Sequence, residues 1–142
     1  MHIPIIGNGD VTTPERAQEC FERYGVDAIM VGRATFGCPW IFEDMKTGVR
    51  KERTMEWCVD ILKEHVLRSI EWIGDERKGI VHSRRHFAAS PVFKGLPDFK
   101  QTRIALLRAE SRDEVFGIMD QIVAQYGPIY GQIENGKYDP AE

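Results

Sequence analysis

The sequence predicts a mixed chain, a short parallel α/β segment followed by an all-α four-helix bundle. Three observations lead there. Two apolar runs, Ile3–Ile6 and Ala28–Val31, each end in glycine and a polar residue, and one amphipathic helix separates them. After residue 53 the apolar residues follow only the helical period. Between these regions, Glu43 to Arg53 mixes acidic and basic residues around Gly48 and has the composition of a linker.

Ile3–Ile6 is too short for a helix, is rich in β-branched residues and stops at Gly7 and Gly9. Pro4 is compatible with the first residues of a strand. Thr13-Pro14-Glu15 opens a helix, with Thr13 as N-cap, Pro14 at the first position and Glu15 at the positive end of the dipole. Ala17, Cys20, Phe21 and Tyr24 share one face, and Gly25 ends the helix. Ala28–Val31 follows as a second strand. Cys38 to Phe42 then predicts a short helix with Pro39 at its start.

A parallel strand pair needs both faces covered, and one helix covers one. The expectation is therefore the tail end of a larger fold, since a complete (β/α)8 barrel takes about 250 residues. Exposed strand edges further predict that the isolated chain pairs with a second copy, as a swapped or edge-paired dimer.

Thr54 caps a long helix to about Ile73, with Met55, Cys58, Val59, Leu62, Val66, Ile70 and Ile73 on its apolar face and Gly74 as its stop. A second helix runs from about Asp75 to Ala89, where Ser90-Pro91 halts it. Lys94–Asp98 is a loop, with Asp98 expected to cap a helix to Ala109. Ser111 and Glu114 form a capping box before a last helix, whose core positions are Val115, Met119, Ile122 and Tyr126. From Gly127 the chain is rich in Gly, Pro and Asn and is expected to be loosely ordered. The resulting boundaries are 1–43, a linker at 44–53, a helical domain at 54–126 and a tail at 127–142.

The totals exclude several classes. With 42% hydrophobic and 29% charged residues the chain suits a soluble globular protein. It has no apolar run near the roughly 20 residues that span a bilayer. Cys20, Cys38 and Cys58 form neither a disulfide framework nor a zinc motif, and a reducing cytoplasm is the simplest setting. Cys20 and Cys58 lie on apolar helix faces and are expected in the core. The net charge of −3 conceals an asymmetry: from Arg77 to Arg112 nine basic residues face only Asp98 and Glu110, so this window carries +7 and the remainder −10. That pattern suits a localised polyanion contact, the plainer alternative being solvated helix faces. The glycine-tipped strand ends suit a phosphate, because backbone N–H groups without a neighbouring Cβ approach it closely. The plainer alternative there is an ordinary βα turn.

Ile3-Pro4-Ile5-Ile6-Gly7-Asn8-Gly9-Asp10, then Gly32-Arg33-Ala34 with Gly37, Pro39, Trp40 and Ile41, then Arg84-Arg85-His86 and Phe93-Lys94-Gly95-Leu96 together carry a resemblance. It is to the carboxy-terminal part of the bacterial tRNA-dihydrouridine synthases and covers the chain to about residue 123. One departure stands at Ala89–Phe93, where the family commonly has an aromatic pair before its Lys-Gly. The resemblance implies the last two βα units of a TIM barrel in residues 1–43 and a tRNA-binding helical domain after them. It implies flavin mononucleotide (FMN) as cofactor, NADPH as reductant and a uridine of tRNA as substrate. Asn8, Gly9 and Asp10 would line the FMN site, and Gly32 and Arg33 would bind its phosphate. For Asp10 a role in holding the loop or capping the next helix stands beside contact with the cofactor. Arg84, Arg85, His86, Lys94, Lys100 and Arg103 would contact RNA, with His86 open to a packing role instead. The family's general-acid cysteine would lie outside this chain, leaving it without reductase activity of its own. A free-standing helical RNA-binding module is the alternative reading.

Overall fold

Ile6-Gly7 (β1) and Ala28-Ile29 (β2) pair in parallel, with Ile6 opposite Ala28 and Gly7 opposite Ile29. The computed structural model describes residues 2–134, and the chain divides into two units that meet between Glu52 and Arg53. β1 and β2 belong to the first. They are shorter than the apolar runs that predicted them, because Pro4 has no N–H to give and neither strand has a further neighbour among the described residues. Pairing nonetheless continues past the strand ends: Asp27 and Ala28 N–H donate to Ile5 O at 2.9 and 3.3 Å, and Met30 N–H to Gly7 O at 2.8 Å. The Asp27 carboxylate takes the Ile5 N–H at 2.8 Å, and chiefly this bond holds its pKa below the usual carboxylate value.

Helix α1, Pro14–Tyr24, begins and ends as its sequence requires. The Thr13 hydroxyl accepts the Arg16 N–H at 3.1 Å, and Gly25, at φ 61°, returns its own N–H to Phe21 O. The helix seals one side of the strand pair, burying Ala17 and Cys20 with Val11 against the partly buried Val26, Ile29, Val31 and Met45. Ile3, Ile5, Ile6 and Met30 remain 73, 60, 67 and 47% exposed, a run of bare apolar side chains along the strand segments.

The helix expected over Cys38–Phe42 lies further on. A 3-10 turn occupies Arg33–Thr35, and α2 runs Ile41–Thr47, so Pro39 precedes it instead of starting it. Residues 44–47, expected as linker, are therefore helical. Buried Asp44 accounts for the difference: its carboxylate accepts the Lys51 N–H at 3.2 Å and draws the following segment back onto the helix.

All the described elements of the second unit are helices or 3-10 turns. α3, Met55–Ile73, is capped by the Thr54 hydroxyl and buries Met55, Cys58, Val59, Leu62 and Val66. α4, Glu76–Ala89, starts one residue later than expected, because Asp75 is its N-cap and accepts the Lys78 N–H at 2.8 Å. Gly79 on α4 lies directly against the backbone of Ile70 on α3. α5, Lys100–Arg108, is not capped by Asp98, which sits at φ 53°. Phe99 occupies the cap position and is buried between Phe93 and Tyr126, at ring separations of 5.7 and 5.9 Å, so aromatic packing sets where the helix begins.

α6, Arg112–Tyr126, has Ser111 as N-cap. Glu114 returns its side-chain bond to the Glu110 N–H, one residue before the position a capping box uses. Val115, Met119, Ile122 and Tyr126 are buried, as their spacing predicts. The segment expected to be loose is ordered as far as Glu134, with a 3-10 turn at Gly127–Ile129 and a short helix α7, Tyr130–Glu134, that buries Tyr130. The rest of that expected tail, 135–142, lies outside the described residues. α3 packs against α4 and α6, and α5 packs against the same two helices. Among the described residues no helix is long and apolar enough to cross a membrane.

Candidate functional site

Parallel pairing places the segments following β1 and β2 at the same end of the strand pair. There Asn8, Gly9, Asp10, Gly32 and Arg33 line one cleft of about 370 Å³ together with Val11, Thr12, Met30 and Ala34. The five predicted residues of the first unit are thus brought together. Backbone geometry explains the glycine at position 9: its φ of 146° lies where side-chain-bearing residues are strained. A phosphate at this cleft would meet exposed backbone and one cation.

That cation is Arg33, whose guanidinium pairs with the Asp10 carboxylate across the two loops. Asp10 sits at φ 45°, and Thr13, not Asp10, caps α1. Of its two local roles, holding the loop is the one the geometry contains. One Nη of Arg33 serves Asp10, while the guanidinium carries five N–H donors in all. Both side chains are largely exposed, so Arg33 keeps donors available at the rim of the cleft.

The six predicted residues of the second unit separate by facing. Arg84 on α4 donates to Ala109 O, at the end of α5, at 3.2 Å. Arg103 on α5 donates to Ala88 O, at the end of α4, at 2.7 Å. Each guanidinium thereby closes the C-terminal carbonyls of the other helix. Arg84 Nε is buried without a hydrogen-bond partner among the described residues. Arg85, Lys94 and Lys100 are exposed.

His86 faces inward. Its ring lies 4.1 Å from that of His65 on α3, and burial is the main reason its pKa falls to about 4, helped by His65, His82 and Arg85. Burial, then His82, lowers His65 as well. The ring pair is therefore neutral near pH 7, which suits packing better than a phosphate contact. Among the described residues no group of three or more His, Cys, Asp or Glu is placed to hold a metal ion.

Lys78 is one of the nine basic residues of the Arg77–Arg112 window, but sequence reasoning passed over His82, whose helical spacing with Lys78 and Arg85 was available as a signal. It also passed over Trp72, which is 81% exposed at the end of α3.

A family model described as dihydrouridine synthase (Dus) matches residues 1–124, across both units. A probable tRNA-dihydrouridine synthase of Rickettsia bellii is 32% identical over 132 residues, which is 89% of this chain and 39% of the relative. A tRNA-dihydrouridine synthase B of Pasteurella multocida is 32% identical over 75% of this chain and 36% of its own length. Its counterpart from Pseudomonas aeruginosa is 30% identical over 87% and 38%. The chain spans about two fifths of the length of these relatives.

Proposed function

The chain belongs to the dihydrouridine synthase family, and on that premise we propose that it supplies two working parts of a tRNA-dihydrouridine synthase. The first, ending with α2, is the last two βα units of a TIM barrel and holds half of the FMN phosphate site. The second, the four packed helices from Thr54 onward, grips tRNA. The setting is cytoplasmic. The observation that carries this reading is the convergence of Asn8–Asp10 and Gly32-Arg33 on one cleft at the same end of two parallel strands. Phosphate sites of such barrels are built from the loops after the last strands.

The residues present fit the group. Gly9 and Gly32 leave backbone N–H groups accessible, Asn8 offers an amide, and Arg33 offers the guanidinium donors that Asp10 leaves over. Asp10 orients Arg33 and stays off the phosphate, since like charges there would repel. When bound, FMN supplies the hydride chemistry, taking reducing equivalents from NADPH and passing them to a uracil ring. The bare side chains of Ile3, Ile5, Ile6 and Met30 are what a strand pair of a closed barrel would turn toward its neighbours. The general-acid cysteine is assigned outside this chain, which by itself should show no reductase activity.

A target base must leave its stack to reach a flavin, and that needs a firm hold on the surrounding RNA. Arg85, Lys94 and Lys100 carry that hold through phosphates, while Arg84 and Arg103 shape the surface by closing helix ends. The match across both units disfavours a free-standing RNA-binding module. Filter binding of tRNA to the chain at several salt concentrations tests the grip. Replacing Arg85, Lys94 and Lys100 together by alanine should reduce the slope of log K against log salt by about 2–3. Binding that is absent or independent of salt in the parent chain would remove the RNA reading.

A further inference from the structure

Lys78, His82 and Arg85 recur at i, i+4 and i+7 along α4 and therefore share one face. Trp72 of α3 leans over the middle of that face, its ring 6.3 Å from the His82 ring at an interplanar angle of 58°. Val81, 44% exposed, adjoins them. Lys78 and Arg85 are exposed and have no ion-pair partner among the described residues. On α3 itself, Glu64 is engaged by Arg68 at 2.8 Å.

An indole left in water forgoes the burial that large aromatic side chains usually obtain. Here it stands against His82, on a helix face that also carries two cations. Protein-binding patches are depleted in charge at their centre. An aromatic platform beside phosphate-seeking cations is instead the arrangement that holds an unpaired nucleotide, since every base has a π-face and every nucleotide a phosphate. We propose that Trp72 is a stacking platform for an unpaired base of the bound RNA, with Lys78 and Arg85 on the flanking phosphates and His82 bracing the indole. This rests on the RNA-binding reading and adds to it a site on α3 and a preference for unpaired nucleotides.

The test measures Kd of the chain for a stem-loop RNA with an unpaired loop and for a long duplex RNA. Parent, W72A, W72F and K78A are compared, with circular dichroism confirming that each variant is folded. W72A should weaken stem-loop binding about 5- to 100-fold with the salt slope unchanged, and duplex binding less than twofold. W72F should keep most of the affinity, whereas K78A should lower the salt slope by about one on both RNAs. Stem-loop binding by W72A within twofold of the parent, while K78A is impaired, would overturn the platform and leave the RNA reading standing. Equal losses by W72A on both RNAs would also overturn it. Failure of the parent chain to bind either RNA would overturn the RNA reading, and the platform with it.

Discussion

Replacing Gly79 with alanine drives the first side-chain atom of α4 into the backbone of α3. The added Cβ would stand 2.6 Å from Ile70 Cα and 2.8 Å from Ile70 N, with Ile70 Cγ1 at 2.7 Å. Carbon atoms pack at about 3.5–4.0 Å. Rotating the Ile70 side chain relieves only one of these contacts, so the helices must part by roughly 1 Å around Ile80 and Val66, both wholly buried. Overpacking of this kind costs about 1–3 kcal/mol, and the better helix propensity of alanine returns up to about 1. A net loss of about 1 kcal/mol, at most about 2, follows, or a fall of roughly 4–8 °C in Tm per kcal/mol for a unit of this size. Urea and thermal unfolding followed by far-UV circular dichroism reads it directly. Gly117 on α6 is the control: a Cβ there meets nothing within 4 Å, so G117A should be as stable as the parent or more so. A G79A chain melting at or above the parent would refute the close helix crossing.

Other outcomes follow from the same coordinates. His86 is held neutral down to about pH 4, whereas the unfolded ring takes up its proton near 6.5. Its folded pKa is the lower one, so stability is complete above about pH 6.5 and declines as the pH falls toward 4. The ceiling is about 3 kcal/mol, which solvent access to the half-buried ring reduces to roughly half. Urea midpoints from pH 7 to 4.5 should therefore fall less in H86Q than in the parent, and superimposable profiles would contradict this. Y126F removes the hydroxyl that donates to Pro97 O at 2.6 Å and should cost about 1 kcal/mol without altering the fold, as read from the same midpoints.

Much of the architecture was legible in the sequence wherever its cause is local. Thr13, Thr54 and Ser111 each place a hydroxyl under the first turn they cap, and Gly25 and Gly74 each adopt the left-handed conformation that stops a helix. Where the cause is tertiary, the sequence was silent. α5 begins where Phe99 finds Phe93 and Tyr126, not where Asp98 could cap it. α2 extends into the expected linker because a buried carboxylate ties the chain back to it. The position of the cleft residues was legible because glycines at two strand ends mark where both loops leave the parallel pair. The basic residues were only half legible: charge identifies Arg84 and Arg103 as cations, but only packing reveals that they close helix carbonyls. It likewise reveals that His86 faces His65.

On the proposed function, this chain carries a working half of a flavin phosphate site. The most direct test is the flavin absorbance, near about 450 nm, of a hybrid in which residues 1–124 replace the matching part of a curated relative. The hybrid should be folded and yellow, and its flavin content should drop when Arg33 is changed to alanine. A hybrid that is folded and colourless, or one that holds its flavin equally well with R33A and with a bulky residue at Gly9, would contradict it.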